Sequence, residues 1–587
     1  MAYLRRILPA LLFALLIAGA NAQKHTVDYS GMGLEPGQQG GTMTLALGAA
    51  PPTFMYYADL GSDSKLVIQH IFDSLVEFDL ETYEIVPGLA ESWEISDDGT
   101  TYTFHLREGV TWHDGEPFTA EDVVFTYNEI IRNPEARAGD VAQFQFTVDG
   151  EQQEVEITAV DDMTVEMVLP APSAAFLLQQ RFPIMPKHKL LDFTVEGGAE
   201  ASAINDAWPT DVDPSEVVGT GPFRLAQWVP GQMAVLERND NFWKVDSAGT
   251  QLPYLDRLEY VIATGTEAQT AQFLAGNVDQ LNITGAQFPD FKSREVQGAD
   301  FVVVSSDALF GSPPHLAFNF DAEDPELAQL FGNHEFRRAM EHAVDRQRII
   351  EDVYNGLAQL PGTPTAPADG TFYEDTTDLL NPFDLEAAAA ALDELGVVDT
   401  DSDGIRNLPG GGNFEFTLTY GNDSQEFTDI ATILQNDFEQ IGVRANLQGI
   451  QAANLLSTGL AGDFEAIIVA LGNQPDPELR KPIWQPGGSL YYWHRSTQGE
   501  DGANFDAMAD WEERIWEIFD RGTVEMDSDA RRELYAEWQR LNAEYAPVIM
   551  IAKQQNIAAV YDHVNNFVYS LGVIPGYNPT ALFWVSE

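Results

Sequence analysis

Three aspartates at alternate positions, Asp399, Asp401 and Asp403, precede Gly404 and Ile405. That is the spacing of the first half of a calcium loop: hard oxygen ligands at every second residue, a glycine for the sharp turn, then a backbone carbonyl. The bidentate carboxylate such a loop needs at its twelfth place is missing, because Gly410 stands there. Either the site is completed from elsewhere in the chain or the segment is a solvated turn. His105 and His113-Asp114 invite a transition-metal reading. The ten histidines are scattered, however, and no two are spaced to share one helix face as ligands. Gly219-Thr220-Gly221 has the outline of a phosphate loop, but it opens a strand-like run. No helix N-terminus would then face a phosphate. No G-x-S-x-G elbow occurs, so a hydrolase lacks that starting point. Cysteine is absent, which removes disulfides, thiolate metal sites, a cysteine nucleophile and a lipid-modified N-terminal cysteine.

Composition narrows the field further. The 587 residues exceed what one hydrophobic core usually organises, so two or more lobes are expected. There are 92 acidic against 31 basic residues, a formal charge of -61, and lysine supplies only 8 of the cations. Nucleic acid is a poor partner for such a surface, since binding it needs a positive patch. An acidity spread along the whole chain reads as adaptation to high salt, where cations screen the self-repulsion, the alternative being an unusually acidic secreted protein in ordinary salt. The N-terminus reads as a secretory signal: Arg5 and Arg6, an apolar run over Ile7–Ala18, and a small-x-small site at Ala20-Asn21-Ala22. Residues 1–22 are therefore expected to be removed, a retained membrane anchor being the alternative, and 23–41, polar and glycine-rich, to form a flexible leader.

The most informative stretch runs from Gly88 to Tyr127. Strand-like alternation over Thr101–Leu106 follows a turn at Asp98-Gly99, a second turn falls at His113-Asp114-Gly115, and Thr119 is placed to cap a helix beginning Ala120-Glu121-Asp122. Val218–Trp243 adds a glycine-rich opening, a strand and a hairpin turn at Pro230-Gly231. Ser64–Phe78 reads as a helix from its apolar spacing, and Glu154–Leu169 as a hairpin about Asp161-Asp162. Phe414–Tyr420, Phe427–Ile441 and Arg444–Gln448 form a strand–helix–strand unit, so the C-terminal half is α/β.

Together with Arg338, Ala339, Ala343, Asp345 and Arg346 in the pattern R-A-x-x-x-A-x-D-R, these segments resemble the extracellular solute-binding proteins of family 5. These are the peptide- and nickel-binding receptors of ABC importers. The resemblance spans about residues 41–575. It implies an α/β, two-lobed periplasmic binding protein of the enlarged three-subdomain type, with two crossovers forming a hinge. Lobe I would combine 42–60, 180–308 and 548–587; a small subdomain would span 61–179 and lobe II 309–547. Such a receptor is no enzyme and requires no cofactor, calcium at the Asp399–Asp403 loop aside. It would work as a periplasmic monomer, capturing a small solute, peptide or peptide-like, for a permease and its ATPase. A periplasmic chaperone or sensor on the same fold, or a secreted hydrolase, are the other readings.

The resemblance also points to the cleft. Ala470–Pro477 (ALGNQPDP) is similar to a family segment whose first aspartate pairs with the amine of bound peptides; here Leu471 and Asn473 stand near its leading positions. Neutral Asn473 would forgo a charge-assisted bond to an ammonium group. Tyr491, Tyr492 and Trp493 on a glycine-loosened loop, and Phe54, Met55 and Tyr56 after a proline pair, are candidate ligand surfaces or ordinary packing. Phe310, near the crossover, is a further candidate.

Overall fold

A computed structural model describes residues 24–27, 29–58, 62–79, 82, 84–137, 144–148, 151–306, 313–360, 363–365, 372–471, 476–499, 502–568 and 578–586. Four larger sheets organise them. The first is antiparallel, in the order Ala90–Ile95, Thr101–Leu106, Thr164–Val168, Glu156–Asp161. Its second strand shows why: Tyr102, Phe104 and Leu106 are buried while the residues between them are not, the period of a half-buried sheet. The second sheet joins Phe223–Val229, Met233–Arg238, Arg257–Ile262 and Thr42–Leu47, the last pair parallel. The third places Asn556–Tyr561 between Gln280–Asn282 and Phe301–Ser306.

The fourth sheet runs Arg444–Ile450, Glu415–Gly421, Ala466–Ala470, Pro314–Phe318, Val548–Met550. Its middle strand, AIIVA, has four consecutive buried residues, as expected where helices cover both faces. The helix Gln425–Gln440 connects two of its parallel strands, capped at Ser424. The helices Asp510–Val524 and Ser528–Tyr545 pack against each other within the same half.

Burial divides the same way. One hydrophobic core gathers residues between 29 and 260 with residues between 558 and 583. A second lies entirely within 316–552. A small third one, around Phe273, Phe291 and Phe301, backs the third sheet. The first, antiparallel sheet shares its core with the second sheet. The chain passes between the two halves twice, and the segments flanking the passages lie side by side. Phe301–Ser306 pairs antiparallel with Asn556–Tyr561, and Ile551 N–H donates to the Pro314 carbonyl at 3.0 Å.

Two sequence expectations need correction. Ser64–Phe78 is not one helix: the helix covers Ser62–Ile68, and Val76–Phe78 is a strand paired with Ile85–Pro87. The apolar residues that suggested helical spacing are buried from several sides, so burial outvotes periodicity. The leader at 23–41 is not a free tether. His25–Thr26 pairs parallel with Lys244–Val245, and buried Tyr29 shares a 2.6 Å hydroxyl contact with Tyr254. Glycine content had suggested flexibility there, but two anchors of this kind outweigh it.

Candidate functional site

The signature segment's polar groups are occupied with structure. Asp122 closes a capping box with Thr119, accepts the Trp112 indole N–H at 3.3 Å and accepts Lys187 N–H at 3.0 Å. It thereby ties the helix start to the returning chain at Pro186-Lys187. His113 bonds at both ring nitrogens, Nε2 to the Gly221 carbonyl at 3.0 Å and Nδ1 to Gly219 N–H at 3.1 Å. Burial holds its pKa down at about 4, so it is a neutral structural link. The glycines of Gly219-Thr220-Gly221 let the segment pack against the His70-Ile71 backbone. A Cβ at Gly219 would lie 1.8 Å from the Ile71 carbonyl, which accounts for the G-x-G without any phosphate.

The cleft segments converge differently from the sequence expectation. Residues 472–475, and with them Asn473, lie outside the described residues, as does Phe310. On either side of that stretch, Leu471 packs against the second core and Asp476 is buried. Asp476 caps the turn Pro477–Arg480 through Glu478 N–H at 3.0 Å. Both its oxygens are held by Arg531, Nη2 to Oδ1 at 2.8 Å and Nη1 to Oδ2. This fork geometry matches a planar guanidinium to a carboxylate.

In the first half, Arg181 feels the charge of Asp476. It is buried, donates Nε–H to the Leu178 carbonyl at 2.7 Å, and lies 4.3 Å over the Phe78 ring. Burial lowers its pKa to about 9, opposed by the charges of Tyr56 and Asp476. Tyr56 is the reciprocal case: burial raises it to about 12, and Arg181 opposes the rise. Tyr56 and Arg181 also line a cavity of about 310 Å³ in the first half, with Phe72, Asp73, Phe78 and Lys244. Within it burial lifts Asp73 to about 6, while the charge of Lys244 and bonds from Trp243 Nε1–H at 2.8 Å and the Thr220 hydroxyl at 3.0 Å hold it down.

The remaining candidates are interior. Phe54 and Met55 are fully buried, and Phe54 packs edge-on against Trp228. Tyr491 and Trp493 are each 1% exposed, with ring centroids 4.3 Å apart. The Tyr491 hydroxyl donates to Glu512 at 2.9 Å, and Tyr492 meets His315 Nε2 at 2.8 Å. The Phe54–Tyr56 group belongs to the first core and the Tyr491–Trp493 group to the second, so their rings do not form one cluster. The signal for Arg181 was present in the sequence: a lone cation within the apolar run Phe176–Ile184. Another spacing passed over is Ser62-Asp63-Ser64-Lys65, the S-x-x-K pattern of some serine hydrolases. Lys65 Nζ lies 4.7 Å over the Tyr56 ring, and the Ser62 and Ser64 side chains are outside the described residues.

At the acidic loop, Asp399, Asp401 and Asp403 each offer an oxygen within 4.8 Å of the others, and all three are exposed. The carboxylates also build the turn. Asp399 accepts Ser402 N–H at 2.6 Å and Gly404 N–H at 3.0 Å; Asp403 accepts Ile405 N–H at 2.8 Å and Asn413 Nδ2–H at 2.9 Å. Ser402 and Gly404 adopt positive φ there.

Two α/β halves joined by paired crossings have the architecture of a two-lobed binding protein. Residues 84–488 match the family described as bacterial extracellular solute-binding proteins, family 5 Middle, and the chain belongs to it. It is similar to the periplasmic alpha-galactoside-binding protein of Rhizobium meliloti, 28% identical over 502 residues, 80% of this chain and 68% of that one. It is also similar to di/tripeptide-binding protein 1 of Pseudomonas aeruginosa, 26% identical over 529 residues, 88% of each chain. In fold it matches the ABC transporter substrate-binding protein CtaP of Listeria monocytogenes, with a TM-score of 0.73 at 22% identity, covering 94% of this chain and all of that one. Its role is that of a substrate-binding receptor, as the family's description has it. Among the described residues, no helix is long and apolar enough to cross a membrane.

Proposed function

We propose that this receptor captures a peptide or peptide-like solute between its lobes and delivers it, unchanged, to a membrane permease driven by an ATPase. It would act in the periplasm as a monomer without a lipid anchor, hinging at the paired crossings, and would catalyse nothing. Ligand would favour the closed form by binding it better than the open one. What supports the reading is the family match over residues 84–488 together with two α/β halves linked by adjacent crossings; the charge of Asp476 in the second half also reaches Arg181 in the first. No resident cofactor enters this mechanism, and calcium at Asp399–Asp403 would serve only the turn.

A second reading, an oligosaccharide, is favoured by the alpha-galactoside-binding relative and by neutral Asn473, which suits hydroxyls better than an ammonium group. Calorimetric titration with di- and tripeptides and with alpha-galactosides separates the two. Saturable one-to-one binding of peptides supports the first and of galactosides the second. Binding that survives replacement of both Arg181 and Asp476 would move the site elsewhere.

A further inference from the structure

We infer that the cavity inside the first lobe is a second ligand site, suited to a small monocation with an apolar body, such as a primary arylalkylamine. Its volume of about 310 Å³ equals about ten water molecules' share of liquid, at about 30 Å³ each, and falls in the range of small-molecule pockets. Its lining runs from His25 to Leu252 and from Asn578 to Leu582, whereas the second core lies within 316–552. The cavity is therefore separate from the gap between the lobes.

Tyr56, Phe72, Phe78 and Phe242 bring aromatic rings to its walls, and buried Leu252 and Leu582 add aliphatic surface. The N-terminal leader supplies another wall through His25, Thr26 and Val27. His25–Thr26 pairs with Lys244–Val245, His25 N–H donates to the Trp243 carbonyl at 3.0 Å, and Val27 N–H donates to the Val245 carbonyl at 2.9 Å. Main-chain bonds thus hold this wall in place.

The charges in the lining do not balance. Asp73, Glu77 and Asp79 are set against Lys244 and Arg181. Burial holds His25 at about 4, and the charges of Arg107 and Lys244 push the same way, so it brings no charge at neutral pH. Lys244 Nζ pairs with Glu77 and lies 4.7 Å over the Trp243 ring. Asp73 has capacity left. Its Oδ2 accepts Trp243 Nε1–H at 2.8 Å and the Thr220 hydroxyl at 3.0 Å, whereas its Oδ1 accepts no hydrogen bond among the described residues. Asp73 keeps some accessible surface, yet it is deep enough for burial to lift its pKa to about 6. Both follow if that surface faces the cavity. An ammonium N–H given to Oδ1 would make a charge-assisted bond, and the aromatic faces would attract the same cation. One positive charge restores the balance; an anion worsens it.

Calorimetric titration of the whole chain with phenethylamine, at neutral pH and one high salt concentration, tests the inference. The amine should bind one to one. Its neutral isostere, phenethyl alcohol, should bind about tenfold to a hundredfold more weakly, the worth of a hydrogen bond to a charged group. Asp73→Asn keeps an oxygen for Trp243 and Thr220 but loses the charge; it should weaken the amine by the same factor and leave the alcohol unchanged. Val86→Trp, at a half-buried lining position, should fill the cavity and weaken both, and it carries the test if Asp73→Asn fails to fold. Saturating amine should leave titrations with di- and tripeptides unchanged. Amine binding that either folded variant leaves intact would overturn the inference. So would an absence of saturable amine binding, or phenethyl alcohol or phenylacetate binding as tightly as the amine. Amine displaced by peptides would overturn it too, since both would then share the gap. A chain that binds the amine as expected but no peptide would instead count against the proposed function and leave this site standing.

Discussion

Acid should loosen the first lobe before the second. His70 and His315 are buried, and His113 is half-buried with both ring nitrogens bonded inside the protein. Burial holds all three near pKa 4, against an ordinary value of 6.5. Between those values the unfolded chain binds protons that the folded chain refuses. Stability from each histidine is therefore complete above pH 6.5 and is lost as pH falls toward 4. At pH 4.5 the loss is about 2.5 kcal/mol per histidine by linkage. Asp73 works in the opposite direction. Held up at about 6 by burial, it takes its proton in the folded state first, and stability rises as pH falls from 6 to 3.8. That returns about 2 kcal/mol at pH 4.5.

In the first lobe His70, His113 and the less buried His25 are all held near 4, against Asp73 and Asp122 that burial holds up, so its stability should fall between pH 7 and 4.5. The second contains His315 and Asp437, also lifted to about 6 by burial, and these two nearly cancel. Urea unfolding followed by tryptophan fluorescence at both pH values, at one high salt concentration, should show one transition moving and the other holding. His113→Gln should shrink the moving transition's loss by about 2.5 kcal/mol, and His315→Gln identifies the second lobe's transition. If the second lobe falls first, or His113→Gln leaves the loss unchanged, the burial argument is wrong.

Asp476→Ala should cost about 3–5 kcal/mol because it strands the buried Arg531, while the double change to Leu and Met should cost clearly less; chemical denaturation checks both, and equal costs would contradict a paired charge. The melting temperature should climb steadily between 0.1 and 3 M KCl, as screening shortens from about 10 Å to below 3 Å; a flat profile would end the salt-adaptation reading of the -61 charge. Asp399→Ala should lower stability by about 1–2 kcal/mol in calcium-free buffer, because two backbone N–H groups lose their acceptor. A penalty seen only with calcium present would show instead that the carboxylates serve the ion.

Much of the fold was legible because it rests on local rules. The alternation at Thr101–Leu106, the cap at Thr119 and the turn at Asp161-Asp162 each depend on residues within a few positions. The helix expected at Ser64–Phe78 failed because Val76–Phe78 finds a partner strand that no local pattern announces. The leader failed similarly, since its anchors, Lys244–Val245 and Tyr254, lie more than two hundred residues away. The site was less legible. Aromatic type cannot distinguish a ligand surface from a core, and Tyr491 and Trp493 are buried in one. Arg181 and Arg531 matter through partners that only the folded chain supplies.

Native mass spectrometry of protein purified without denaturation tests the central claim most directly. One small solute per chain is expected, released with its mass intact when the gas-phase complex is opened and again after rebinding. A chain that binds nothing from peptides or galactosides, or that returns a solute of altered mass, would contradict it.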